Sequence, residues 1–261
     1  MNKNKPCVLE FLRLCVYIFA ITTTFYLNGG EMITVRKSDE RGSGDHGWLT
    51  TQHTFSFSDY YDPKFMGFRS LRVINEDVVA AKMGFDTHPH SDMEILTYIL
   101  DGSLEHKDTM GNHSQIRKGE FQLMSAGTGI EHSEFNPSKD RSVHLLQIWI
   151  KPDKKGLTPQ YQQKSFADHT SGLKLVVSPE GKEGALEIHQ NARIYLGRFK
   201  EGEVAQLALE PGRHAWVQMI RGVVDVNGAS LTAGDGASVS GEKTIHFNTK
   251  EPSEFLLFDL N

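Results

Sequence analysis

The chain has 261 residues, of which 38% are hydrophobic and 23% are charged, and its formal net charge is −5 at pH 7. This length suffices for one large or two small domains, and the hydrophobic share excludes wholesale disorder. The acidic balance excludes a stand-alone nucleic-acid binder held by electrostatics, because such proteins need an excess of basic side chains.

Residues 1–31 differ from the rest of the chain. Leu14–Leu27 is an uncharged, apolar run that follows three basic residues. It is short for a membrane span and resembles the apolar region of a secretory signal, although no small-residue cleavage site follows it. We expect residues 1–31 to lie outside the fold as an over-long start that precedes the true amino terminus at Met32. A signal-like leader or anchor is the first alternative, and a structural arm is the second.

From residue 67 onward the sequence is a row of short segments with high β-propensity. The predicted strands are Ser70–Ile74, Val78–Met83, Glu94–Leu100, Ser103–His106, Phe121–Met124 and Val143–Ile150. Turn dipeptides such as Asp101-Gly102 separate them. Only Leu157–Gln163 could supply a short helix. The pattern predicts an all-β sandwich or barrel.

The strand pattern occurs twice along the chain. Residues 98–106 align with residues 218–226, and this alignment places Gly102 and Gly222 at the same turn between two strands. The polar segment Lys151–Asp168 is the natural connection between the copies. The sequence therefore predicts one supersecondary unit used twice, although hairpin glycines alone would also produce the match.

The histidines are the chemically informative residues, because both cysteines fall in the first fifteen residues and the body has no thiolate. His88 and His90 are two apart, as are His132 and Glu134. Residues i and i+2 of a strand face the same side of a sheet. Two such pairs on adjacent strands would bring three imidazoles and one carboxylate to a point. That donor set suits one divalent first-row transition metal and is too rich in nitrogen for calcium or magnesium.

These motifs resemble the pirin family, and in particular its bacterial members that are similar to quercetin dioxygenases. The segments that carry the resemblance, strongest from Arg41 to Pro152, are His53–Phe57, Tyr61–Pro63, Phe68–Asn75, His88–Ile95, Met124–Ile130 and His132–Glu134. The resemblance implies two cupin-type (jelly-roll) β-barrels packed face to face. It also implies a metal-binding domain over residues 32–155 and a metal-free domain over residues 156–261.

Carried onto this chain, the metal ligands of the family fall on His88, His90, His132 and Glu134. A generic cupin would use Glu94 in place of Glu134. We favour Glu134, because it shares a strand face with His132, and we also expect it to act as the catalytic base.

The remaining histidines stand singly, and we expect them to be exposed or to be satisfied by local hydrogen bonds. They are His106, His113, His144, His169, His189 and His214. His246 lies near the position of His132 in the second copy but has no partner histidine there. The aromatic segment that carries His46 and His53 could close over the barrel mouth, although an ordinary edge strand is the favoured interpretation.

Two functions follow from the resemblance. The first is a dioxygenase that cleaves quercetin or a related flavonol or enol with O2, with iron as the expected metal and Mn, Ni, Cu, Zn or Co as alternatives. The second is a non-enzymatic regulatory or redox-sensing protein whose metal state controls binding to a protein partner. In both cases we expect a cytoplasmic protein without direct nucleic-acid or membrane contact, unless residues 1–31 export or anchor it.

Overall fold

The computed structural model of the protein describes residues 33–261, so the expectations for residues 1–31 concern residues outside this range. The strands of the first half are β1 Ile33–Arg36, β2 Gly42–Asp45, β3 Leu49–His53, β4 Leu71–Val79, β5 Gly84–His90, β6 Glu94–Asp101, β7 Ser103–Asp108, β8 His113–Arg117, β9 Glu120–Ser125, β10 Ile130–Phe135, β11 Val143–Ile150 and β12 Gln160–Ser165. Those of the second half are β13 Gly172–Ser178, β14 Leu186–Glu187, β15 Ala192–Phe199, β16 Val204–Ala208, β17 His214–Arg221, β18 Val223–Val226, β19 Ala229–Thr232, β20 Gly236–Val239, β21 Thr244–Thr249 and β22 Ser253–Leu260. Two short 3-10 helices span Ser38–Glu40 and Lys182–Gly184. None of the helices in the described range is long and apolar enough to cross a membrane.

The strands form two barrels of the same construction. In the first, a seven-stranded sheet in the order β12-β9-β6-β11-β4-β3-β2 faces a four-stranded sheet in the order β5-β10-β7-β8. The second repeats this with β1-β20-β17-β22-β15-β13-β14 and β16-β21-β18-β19. Gly102 and Gly222 occupy the same hairpin turn with φ of 79° and 82°, a left-handed conformation that favours glycine. The repeat expected from the sequence is confirmed.

The two seven-stranded sheets pack against each other through their outer faces. Leu96, Tyr98 and Ile148 of the first barrel lie in one buried apolar cluster with Trp216 and Phe258 of the second. Because side chains alternate along a strand, the residues between them face the interior of their own barrel. The barrels are therefore packed face to face, as the resemblance implied.

The sheets exchange strands at their edges. β1, at the start of the described chain, pairs with β20 of the second barrel, whereas β12 pairs with β9 of the first. The chain therefore completes the first sheet with β12, which lies beyond residue 155. The division of the chain into residues 32–155 and 156–261 stays a prediction.

Two predicted elements are wrong. The helix over Leu157–Gln163 does not form, because this segment leads into β12, which pairs along the edge of β9. Ser70–Ile74 and Val78–Met83 are not two strands, because one strand, β4, runs through Leu71–Val79. In the sequence, the polar residues Asn75 and Asp77 suggest a turn between two strands. In the structure both are buried in the first barrel.

The interiors of the two barrels differ in chemistry. Gln147 lies opposite Thr97 in the first barrel, and Leu257 lies opposite Val217 at the corresponding register in the second. The interior of the second barrel is an apolar cluster, whereas the first buries polar side chains at the same level. Burying polar groups costs free energy unless they find partners, so the polar interior points to a site in the first barrel.

Candidate metal centre

Three imidazoles converge on two neighbouring strands of the first barrel. β5 and β10 are antiparallel partners, and His88 lies directly opposite His132. The ring centroids of His88 and His132 are 4.5 Å apart, and those of His90 lie 4.8 and 4.9 Å from them. One ring nitrogen of each histidine lies within 4.8 Å of the others, which is close enough for a single metal ion. The strand alternation read from the sequence thus places all three on one face.

Glu134 lies two residues after His132 on β10, and among the described residues it is grouped with His132 and His106 but not with His88 and His90. Its side chain is buried, and Oε2 accepts a hydrogen bond of 2.8 Å from Nε2 of Gln147. Oε1 is buried without a partner. Burial raises the pKa of Glu134 to about 7, and the Gln147 hydrogen bond partly offsets this by favouring the charged form.

Close approach of β5 to β10 depends on a glycine. A Cβ added at Gly84 would lie 2.2 Å from the carbonyl oxygen of Glu134 and 2.6 Å from the Cα of Phe135. No larger residue fits there without a shift of the backbone. Gly84 therefore lets the histidine-bearing strand lie against β10.

The electrostatics of the site keep the imidazoles of His90 and His132 neutral. Burial lowers the pKa of His90 to about 4, with a further contribution from His88. Burial also lowers the pKa of His132 to about 2, helped by the neighbouring histidines. Both nitrogens of His132 are buried without a hydrogen-bond partner. Neutral nitrogens with free lone pairs are the form that binds metal, so these residues fit a divalent ion.

Glu94 is directed elsewhere. Its Oε2 accepts hydrogen bonds from Oγ of Ser125 at 2.8 Å and from the backbone nitrogen of His189 at 3.4 Å. Within the described residues, Glu94 is in neither of the clusters whose geometry suits a metal ion. Its role in the structure is to bind a segment of the second half of the chain.

His106 is a member of the site that the sequence pattern does not reveal. The sequence groups it with the solitary histidines, yet it is fully buried and its ring centroid lies 5.3 Å from that of His132. With His132 and Glu134 it forms a second cluster whose ligand atoms lie within 4.8 Å of one another. The signal in the sequence is its spacing from Asp108, because residues two apart on a strand share a face.

A cavity of about 310 Å³ opens beside the histidines. His88, His90 and Glu134 line it, together with Asp77 and Trp149. Burial raises the pKa of Asp77 to about 6, and its Oδ1 has no partner. The cavity therefore combines two of the clustered histidines and Glu134 with an aromatic side chain and a second buried carboxyl group.

The aromatic amino-terminal segment contributes to this cavity. His46, His53 and Phe57 all line it. The same segment also forms β2 and β3 at the edge of the seven-stranded sheet. The favoured interpretation of this segment, an edge strand, is therefore confirmed, and its side chains also line the cavity.

The second barrel has no corresponding cluster among residues 33–261. β21 pairs with β16 and β18 as β10 pairs with β5 and β7. On β21 the inward residues Ile245 and Phe247 are buried, whereas His246, on the alternate face, is exposed.

Known families match both halves of the chain. The family described as Pirin matches residues 34–150, and the family described as Quercetinase C-terminal cupin domain matches residues 175–260. The chain belongs to the pirin family. Its two barrels are accordingly cupin domains, as the resemblance implied.

Several pirin relatives are similar along almost their whole length. The chain is 51% identical over 231 residues to quercetin 2,3-dioxygenase of Escherichia coli strain K12, covering 88% of this chain and 99% of the relative. It is 40% identical over 231 residues to a pirin-like protein of Caulobacter vibrioides, covering 87% of this chain and 99% of the relative. The crystal structure of the bacterial pirin YhhW from Escherichia coli in complex with nickel(II) matches with a TM-score of 0.85 at 49% identity, covering 88% of this chain and 99% of that chain. That pirin therefore binds a divalent metal ion.

Proposed function

We propose that this chain is a dioxygenase that uses one divalent transition metal to cleave quercetin or a related flavonol or enol with O2. The observation that carries the proposal is the convergence of three imidazoles beside a cavity that the buried carboxyl group of Glu134 also lines. The name of the Escherichia coli relative, at 51% identity, supports the same reaction.

His88, His90, His132 and Glu134 would hold the metal. One nitrogen of His132 and Oε1 of Glu134 support this ligand set, because both are buried without a hydrogen-bond partner among residues 33–261 and a bound ion would satisfy them. A donor set rich in nitrogen binds several first-row divalent ions, so we keep iron as the expected metal, with Mn, Ni, Cu, Zn and Co as alternatives.

When bound, the metal would supply Lewis-acid chemistry that lowers the pKa of the substrate hydroxyl group. The protein supplies a base. Burial raises the pKa of Glu134 in the metal-free protein, and this favours proton uptake by the carboxylate whenever it is not bound to the metal. We propose that Oε1 of Glu134 accepts the proton of the substrate hydroxyl when this oxygen is released from the metal, while Oε2 keeps its hydrogen bond to Gln147.

The cavity suits a flat, hydroxylated molecule. Phe57 and Trp149 meet edge to face with ring centroids 5.3 Å apart and form an aromatic wall. Aromatic side chains pack well against planar rings and exclude water from the reacting centre. Asp77 and Asn75 on β4 offer polar atoms on the lining of the same cavity, where substrate hydroxyl groups would find acceptors.

Incubation of the metal-loaded protein with quercetin in air tests the proposal. We expect loss of the flavonol absorbance together with O2 uptake and release of carbon monoxide. Glu134→Gln should abolish turnover, whereas the control Glu94→Gln should retain it. Absence of turnover with every metal named, and with a panel of related enols, would contradict the proposal and favour the regulatory alternative.

The cytoplasm remains the proposed location, with export or anchoring through residues 1–31 as the alternative. Cell fractionation, combined with amino-terminal sequencing of the recovered protein, tests it. Recovery of a cytoplasmic chain that starts at Met32 would agree with the proposal. A chain that starts at Met1 in the membrane fraction would contradict it.

A further inference from the structure

A buried histidine and carboxylate pair lies beside the candidate metal centre. Nε2 of His106 is 2.9 Å from Oδ2 of Asp108, and both side chains are 0% exposed. Both residues are on β7, which is paired with β10 so that Asp108 lies opposite His132 and His106 lies opposite Glu134. The pair therefore lies next to His132 and Glu134, the two residues of β10 that we propose as metal ligands.

The surroundings of Asp108 fix the proton on His106. Oδ1 of Asp108 accepts hydrogen bonds from the backbone nitrogens of Met110 and Asn112, both at 3.0 Å. Oδ2 accepts another from Nδ2 of Asn112 at 2.8 Å. A carboxylate held by these donors acts only as an acceptor, so His106 must donate through Nε2–H. In the neutral ring, Nδ1 of His106 then carries a free lone pair.

Among residues 33–261, that lone pair has no hydrogen-bond partner, and neither nitrogen of His132 has one. Nδ1 of His106 is buried without a hydrogen bond, as are both nitrogens of His132. The two rings are 5.3 Å apart between centroids. One nitrogen of each ring lies within 4.8 Å of the other, a separation that one buried water molecule can bridge.

A metal ligand needs a partner of this kind. A neutral histidine that gives one nitrogen to a metal carries its proton on the other, and that N–H group needs an acceptor. We propose that Asp108 and His106 form a positioning relay in which Nδ1 of His106 accepts the N–H of His132 through one water molecule. The relay fixes the tautomer of His132 and presents its other nitrogen to the metal. This inference rests on the proposed metal site.

The second barrel provides an internal comparison. The hairpins at Gly102 and Gly222 align His106 with Val226, which is fully buried. The second barrel, whose interior is apolar, thus has Val226 at the position that His106 occupies in the first barrel. The fold itself does not require a histidine at this position.

Three histidine variants test the relay. His106→Leu removes both the donor and the acceptor, whereas His106→Gln keeps them, because its amide can donate to Asp108 and accept from His132. His113→Leu makes the same change at an exposed position of the same sheet. Circular dichroism establishes that each variant is folded.

The first readout is the dissociation constant for Ni(II) alone, measured by competition with a chelator. We expect His106→Leu to bind about 10- to 100-fold more weakly than wild type. The His106→Gln and His113→Leu variants should stay within about threefold of wild type, which corresponds to less than 1 kcal/mol.

The second readout is the nitrogen-15 spectrum of the histidine rings in the metal-free protein. Wild type and His106→Gln should show a single neutral tautomer of His132, and His106→Leu should show a mixture. Unchanged behaviour of His106→Leu in either readout would overturn the relay, and so would equal losses in the leucine and glutamine variants. If wild type itself fails to bind Ni(II), the proposed metal site fails, whereas the spectrum still reports separately on whether His106 fixes the tautomer of His132.

Discussion

Replacement of Gln147 by leucine should weaken metal binding in a way that depends on pH. The second barrel has leucine, Leu257, at the position that corresponds to Gln147, so we expect the Gln147→Leu variant to fold. It removes the 2.8 Å hydrogen bond to Glu134, and a buried hydrogen bond to a charged group contributes about 1.5 to 3 kcal/mol. Loss of that bond disfavours the carboxylate and should move the pKa of Glu134 from about 7 to roughly 8 to 9.

At pH 7 the metal must then displace a proton from almost every Glu134 side chain, compared with about half of them in wild type, so we expect affinity to fall about 5- to 50-fold. The dissociation constant is measured by chelator competition at pH 7 and at pH 9.5. Because Glu134 is ionised at the higher pH in both proteins, the difference from wild type should shrink there. Gln163→Leu is the matched control, because Gln163 bonds to Gln115 and Glu120 instead. Equal affinity of Gln147→Leu and wild type at pH 7 would refute this reasoning.

Three further predictions concern other residues. Glu94→Gln should retain one equivalent of metal by elemental analysis, because Glu94 binds Ser125 and His189; loss of the metal would instead favour Glu94 as a ligand. Asp235→Asn should lower the free energy of unfolding in urea by about 1.5 to 3 kcal/mol at pH 7. Four hydrogen bonds hold the carboxylate of Asp235 and lower its pKa in the folded protein. The stability that Asp235 contributes is therefore present above about pH 4 and is lost as the pH falls through the pKa of Asp235 in the folded protein. If Asp235→Asn destabilised the protein equally at pH 3, these hydrogen bonds would not be the source of the stability. Phe57→Ala should weaken quercetin binding about three- to tenfold in a fluorescence titration without changing metal content, and unchanged binding would remove Phe57 from the substrate wall.

The repeat and the face assignments are predictable from the sequence because they rest on local rules. Side chains two apart on a strand share a face, and this rule alone pairs His88 with His90 and His132 with Glu134. The glycine turns at Gly102 and Gly222 likewise mark the two copies of the hairpin. Each of these signals lies within a few residues of sequence.

Interactions across the sheets are not predictable in this way. Asn75 and Asp77 suggest a break because polar residues usually mark turns, yet they line a polar cavity within one continuous strand. The segment over Leu157–Gln163 resembles a helix because its partner β9 lies about forty residues away in sequence. His106 stands alone in the sequence because its neighbour His132 is on another strand. Each error involves a partner that only the tertiary fold brings close.

The most direct test of the account is a crystal structure of the metal-loaded protein with an anomalous difference map at the absorption edge of the metal. We predict one peak per chain, bounded by His88, His90, His132 and Glu134 with metal to ligand distances of about 2.0 to 2.2 Å, and no peak in the second barrel. A peak at Glu94, a peak that lacks any of those four side chains, or a peak in the second barrel would contradict the account.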